Sequence, residues 1–147
     1  MQVAFQQAYK SLSCNNFPVG CSIFNTKTGK IISKAYNKFE SNGSRINHAE
    51  IMALQQIADI RSEMIDMYVT LRPCPMCAYA ISLSRVNNLY IAVDDSKDNS
   101  FDIEQFYAQN FVVHKPNVYF GIMEAEGKKL YSKAALMMRT SNIGASI

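Results

Sequence analysis

No stretch of the chain approaches the roughly 18 apolar residues of a membrane-spanning helix. The segment from Met1 to Lys10 mixes Gln and Tyr into its apolar residues, so the sequence reads as a soluble protein without a signal peptide. Cysteine is scarce: of four, Cys14 and Cys21 stand alone and two form Cys74-Pro-Met-Cys77, too few for a secreted disulfide framework. A cytoplasmic, reducing compartment is expected, with Cys14 and Cys21 as free thiols packed like small hydrophobes. Charge of one sign is scant too, because 15 cationic and 12 acidic side chains leave only +3. That is compatible with an anionic partner but well short of the surplus of a dedicated nucleic-acid-binding domain. Repeats and low-complexity segments are absent. What remains is ordinary globular material, 48% apolar and 18% charged, which excludes a disordered chain, a collagenous repeat and a coiled-coil rod. At roughly 150 residues per domain the 147 residues make one domain, expected over 1–140, with 141–147 as a flexible tail.

Ala4, Phe5, Ala8, Tyr9 and Leu12 recur at helical spacing, and the polar run before Pro18 ends that helix near Ser13. Val19 to Asn25 and Lys30 to Asn37 are β-prone runs around Thr26-Lys27-Thr28-Gly29, which suits a hairpin. Lys38 to Asn47 reads as a loop, and a second helix is expected over His48 to Asp59. A strand from Ile65 to Leu71, a stop at Arg72-Pro73 and a helix from Cys74 to Ser84 follow. Asn88 to Val93 predicts a strand, Asp102 to Gln109 a short helix, Val118 to Ile122 a strand, and Glu124 to Met138 the last helix. Such alternation argues for an α/β sandwich around a central mixed sheet. The eight methionines read as core filler.

His48-Ala49-Glu50 and Pro73-Cys74-Pro75-Met76-Cys77 each fall where a helix is expected to start. Cys74 and Cys77, three apart, share a helical face, and the unpaired N–H groups of that helix start favour thiolates. With His48 as third ligand they would hold a tetrahedral zinc and leave one position for water, as catalytic sites do. His48 and Glu50 are two apart, about 200° on a regular helix, and reach one site only if His48 sits at the irregular first turn. Glu50 would then be a proton carrier beside the metal and not a ligand. A redox dithiol is the competing reading of Cys-x-x-Cys, weakened by the His-x-Glu upstream and by the prolines flanking Cys74. A closed structural zinc site would need Cys14, Cys21 or His114 as fourth ligand, and His114 reads as a surface or helix-flanking residue. His-x-Glu followed by Pro-Cys-x-x-Cys is the signature of zinc-dependent nucleobase deaminases.

At these residues, and at Pro18-Val19-Gly20, Tyr68 to Leu71 and Ser84-Arg85-Val86, the sequence resembles the cytidine deaminase-like superfamily. Within it, the chain is most similar to bacterial tRNA adenosine deaminases, over roughly residues 1–97. The resemblance implies a three-layer α/β/α sandwich with a five-stranded mixed sheet, zinc on His48, Cys74 and Cys77, and Glu50 as proton shuttle. It implies Asn37 and the main-chain N–H of Ala49 as contacts to the base, Val19 and Gly20 along the pocket wall, and a homodimer. The implied partner is a tRNA anticodon stem-loop, with Lys97, Lys128, Lys129, Lys133 and Arg139 available for phosphates.

Several positions depart from that pattern. Arg72 stands where the tRNA enzymes usually carry Glu, Tyr79 replaces a common Gly, and Asp95-Ser96-Lys97 is followed by Asp98-Asn99-Ser100-Phe101 instead of a small-residue run. Ala134-Ala135 aligns with a pair of Phe that flank the wobble nucleotide, so stacking there is expected to be lost unless Tyr131, Phe101 or Phe106 replaces it. Hydrolytic deamination of the tRNA wobble adenosine is the leading expectation. The alternatives are a deaminase of a free base, nucleoside or nucleotide such as guanine, cytosine or deoxycytidylate, and a catalytically silent partner subunit.

Overall fold

The computed structural model describes residues 1–57, 64–95 and 101–140. Five strands, β1 (Gly20–Asn25), β2 (Lys30–Tyr36), β3 (Ile65–Leu71), β4 (Asn88–Val93) and β5 (Asn117–Tyr119), form one sheet in the order β2-β1-β3-β4-β5. β1 is antiparallel to both β2 and β3, whereas β3, β4 and β5 run parallel, so the sheet is mixed. Gly29, at φ 67°, closes the β1–β2 hairpin, and the Asn25 side chain caps the turn by accepting from the N–H groups of Lys27 and Thr28. The parallel half needs crossovers, and α4 (Pro75–Leu83) and α5 (Ile103–Tyr107) supply them.

Alternation along the strands divides the core between two faces. Ile23, Met67, Val69, Leu89 and Ile91 pack with α3 (Ala49–Leu54), α4 and α5. Ala92, the very next residue after Ile91, packs instead with Phe5 and Ala8 of α1 (Gln2–Ser13) and Leu130 of α6 (Glu124–Thr140). The result is the expected three-layer sandwich. Tyr9 of α1 donates to Glu126 of α6, joining the two helices of that second face. Tyr68, Tyr90 and Tyr119 stack side by side across β3, β4 and β5, with centroids 4.6 and 5.0 Å apart, and an Asn88–Asp66 and Asn117–Asn88 hydrogen-bond ladder runs beside them.

Some details differ from the sequence reading. The polar stretch after β2 contains a single helical turn, α2 (Phe39–Asn42), stopped by Gly43 at φ 61°. α3 starts where expected but ends at Leu54, short of the expected Asp59, with Gln55 and Gln56 already in a turn, and Lys97 and the 141–147 tail lie outside the described residues. Cys21 is fully buried, whereas Cys14 is exposed just beyond the end of α1, where no layer covers it. Met67 fills the core as expected, but Met64, Met76, Met123 and Met137 lie on the surface. Ala134 is fully buried on the inner face of α6, so it is not a truncated stacking surface.

Candidate metal and active site

The site forms where the carboxyl end of β3 meets the starts of α3 and α4, the usual location for a ligand in an α/β sheet. His48 is the N-cap of α3, extended at φ −71°, ψ 152°, and Cys74 is the N-cap of α4, extended at φ −73°, ψ 169°. The second is forced locally. A residue before proline avoids the helical region, and Pro75, with no N–H to leave unpaired, suits the first helical position. Placing His48 outside the regular helix lets Glu50, two residues on, face the same cavity, which is the condition the spacing demanded.

The His48 Nδ1 atom lies 3.6 Å from Cys74 Sγ and 3.5 Å from Cys77 Sγ, and the three donor atoms all fall within 4.8 Å of one another. A tetrahedral zinc with Zn–S near 2.3 Å and Zn–N near 2.0 Å separates such nitrogen and sulfur donors by about 3.5 Å. The donor set therefore fits zinc without rearrangement. Among the described residues no other group of His, Cys, Asp and Glu has this closeness, and Cys14, Cys21 and His114 take no part in it. A three-ligand set leaves a fourth position open, as in catalytic zinc sites.

The electrostatics agree with that use. The Cys74 thiol is pulled down to about 4, first by the hydrogen bond from Cys77 and then, against the cost of burial, by His48. Cys77 is pushed up, chiefly because it donates to Cys74 and is buried, and the Cys74 contact in turn raises His48. Zinc binding deprotonates both thiols outright. Glu50 is 3% exposed, and burial raises its carboxyl to about 7, where it can both take and give a proton near neutrality.

A pocket of about 260 Å³ opens onto these residues, lined by Phe17, Val19, Asn37, Phe39, Glu40, Ala49, Leu71, Arg72 and Asp95 together with His48, Glu50 and Cys74. Of the residues expected at the base, Val19, Asn37 and Ala49 line it and Gly20 does not. Gly20 is instead pressed against α1, where an added Cβ would sit 1.9 Å from the Ala4 carbonyl oxygen, and its N–H donates to Thr70. Asn37 is 6% exposed; its Nδ2 donates to the Phe17 carbonyl at 3.0 Å and to Glu40 at 3.3 Å, and its Oδ1 accepts from the Phe39 N–H. It thereby ties three pocket-lining residues together. Ala49 is the first residue of α3, where a helix has no internal partner for the N–H.

Sequence reasoning did not find Phe17, Phe39, Glu40 or Arg72 in the pocket. Phe17 stacks against Tyr131 of α6, centroids 5.8 Å apart, and the Tyr131 hydroxyl donates to Thr70. Of the three aromatics offered as replacements, Tyr131 thus reaches the site through Phe17. Phe101 and Phe106 instead pack edge-to-face with each other and are not among the pocket-lining residues. The Arg72 side chain is 6% exposed, pairs with Asp94 at 2.7 Å, donates to the Phe101 carbonyl and lies over the Phe120 ring. Lys128 pairs with Glu124 one turn away at 2.8 Å, and Lys129 and Lys133 are exposed on α6; none lines the pocket. Lys97 and the Arg139 side chain lie outside the described residues.

Residues 1–93 match a family model described as the cytidine and deoxycytidylate deaminase zinc-binding region. The chain is 38% identical to a tRNA-specific adenosine deaminase of Rickettsia bellii, over 90% of this chain and 94% of that one. Among solved structures it is similar to one from work on A-to-I editing by tRNA:A34 deaminases at the wobble position of transfer RNA, with TM-score 0.77, 29% identity, and 88% and 96% of the two chains covered. A guanine deaminase of Nitrosomonas europaea shares the fold at TM-score 0.75 and 17% identity, over 92% and 82% of the chains. Fold and metal site alike define a zinc-dependent deaminase. The protein belongs to the cytidine and deoxycytidylate deaminase zinc-binding family.

Proposed function

We propose that the protein hydrolytically deaminates adenosine at the wobble position of tRNA, giving inosine and ammonia. The observation that carries this reading is Glu50, a buried carboxyl near pH 7 that shares a cavity with His48 and Cys74 of a three-donor zinc set. When bound, zinc is a Lewis acid that activates water. Glu50 takes a proton on one side of the reaction and delivers it to the departing amine on the other. The Ala49 N–H at the start of α3 and the remaining lone pair of Asn37 Oδ1 meet the base edge, and Val19 closes the wall. Gly20 serves by letting α1 approach. The 260 Å³ pocket suits one heterocycle, so the rest of a polynucleotide lies outside it. The Rickettsia relative and the A34 deaminase structure support tRNA as the substrate class.

The protein works as a homodimer in the cytoplasm, where its substrate is. No helix among the described residues is long and apolar enough to cross a membrane. Support for the dimer includes Tyr79, Leu83 and Phe111, exposed apolar side chains on and beside α4. Sedimentation at micromolar protein is expected to give twice the chain mass; a fully active monomer would count against it. Function is tested by incubating the protein with a tRNA transcript carrying adenosine at the wobble position, alongside free guanine, cytosine, deoxycytidylate and adenosine. Inosine should form in the transcript. Efficient deamination of a free compound with the transcript untouched would replace this reading, and no ammonia from any substrate would point to a silent subunit.

A further inference from the structure

We propose that Lys10, Lys38 and Arg45, held on the rings of Tyr36 and Phe39, form a phosphate-binding rim for the single-stranded RNA that flanks the base in the pocket. The proposal rests on the tRNA reading and names a contact surface that sequence reasoning placed elsewhere, on α6 and at Lys97. The Nζ atoms of Lys10 and Lys38 each lie 5.1 Å from the Tyr36 centroid, so the two ammonium groups are separated by at most twice that distance. Arg45 Cζ lies 5.9 Å from the Phe39 centroid, and Phe39 itself lines the pocket. Lys38 falls between pocket-lining Asn37 and Phe39, Arg45 lies over Phe39, and Lys10 precedes Ser11, whose hydroxyl donates to the carbonyls of pocket-lining Phe17 and Asn37, so all three cations belong to segments that border the pocket.

Such clustering has a cost unless an anion visits it. Like charges at this spacing repel across a distance comparable to the Debye length of about 8 Å at physiological salt, and the ring faces offset only part of that repulsion. Ion pairs among the described residues join Arg72 to Asp94 and Lys128 to Glu124, and neither involves these three cations. Glu40, the acid within this stretch, accepts only from the neutral Phe17 N–H and Asn37 amide and offsets at most one of the three cations. Lys10 and Arg45 are exposed to solvent. A base inserted in a pocket of nucleobase size leaves its own and neighbouring phosphates at the mouth, where this rim stands. Aromatic rings interleaved with cations also suit splayed single-stranded nucleotides.

The test uses a fluorescein-labelled anticodon stem-loop with adenosine at the wobble position, titrated at several salt concentrations. The triple variant Lys10→Gln, Lys38→Gln, Arg45→Gln is expected to bind at least about tenfold more weakly at low salt. At roughly 0.7 per single-strand phosphate contact, the slope of log affinity against log salt should shrink by about 2. KM for the stem-loop should rise while kcat at saturating RNA stays within about twofold. Tyr36→Leu, which keeps every charge, should weaken binding severalfold, and Tyr36→Phe should restore it. The single variants Lys38→Gln and Arg45→Gln guard against a folding defect in the triple. An unchanged slope and KM in the triple variant, with wild type active, would overturn the rim and leave the tRNA reading standing. The rim would also be overturned if the full slope loss appeared in Lys128→Gln, Lys129→Gln, Lys133→Gln instead. Wild-type binding with a rim-dependent slope but no inosine would sink the tRNA reading and leave the rim intact.

Discussion

Glu50 is held in a cavity that disfavours its charge, and that has a measurable sign. In the metal-stripped protein its carboxyl titrates at about 7, against roughly 4.3 in an unfolded chain. The native state therefore binds this proton more tightly, so the stability that Glu50 allows is present below about pH 4 and declines as pH climbs through 7. Metal-stripped Glu50→Gln should melt above wild type near pH 7.5, with the gap closing near pH 5, in parallel thermal scans. With zinc present the same variant should retain the metal and lose nearly all turnover. Cys77→Ser should instead lose zinc by elemental analysis. The four residues behind these predictions were legible in the sequence because their spacing and flanking prolines place them at helix starts. Phe17, Glu40 and Arg72 were not legible. Glu40 meets Phe17 across 23 positions and Arg72 meets Phe101 across 29, and no local pattern records such encounters.

At the scale of elements, close approach decides more than propensity. Gly20 begins β1 with α1 lying directly on it: an added Cβ would meet the Ala4 oxygen, the Ala8 nitrogen at 2.4 Å and the Gln7 Cβ at 2.9 Å. Two of these are backbone atoms, so Gly20→Ala should push α1 off the sheet. Its melting temperature should fall by several degrees and its KM should rise as Val19 shifts. Ala134→Phe, which would add a stacking ring if that side chain faced the pocket, should instead overpack α6 and destabilise by roughly 1–3 kcal/mol in denaturant unfolding. Strands and long helices were readable because period-2 and period-3.6 patterns survive burial on one face. The single turn of α2 was not, since Phe39–Asn42 is too short to show a period. Nor was the register of α6, where Ala134 and Ala135 look alike in sequence but the first is buried and the second exposed.

For the whole molecule, a zinc held by His48, Cys74 and Cys77 would tie the start of α3 to the start of α4, two helices of one layer. Chelation should lower the melting temperature of the entire domain, and added zinc should restore it in proportion to occupancy, as calorimetry would register. On the opposite side of the sheet from that layer's packing residues stands the tyrosine row of β3, β4 and β5, in a chain that has no tryptophan. Phenol rings 4.6 and 5.0 Å apart, inclined by 9° and 15°, couple their ultraviolet transitions. The molecule consequently carries a built-in optical gauge in the near-ultraviolet, where circular dichroism reports fixed side-chain packing. Because its outermost ring belongs to a three-residue edge strand, that signal registers loosening of β5 while the helical signal in the far ultraviolet stays unchanged.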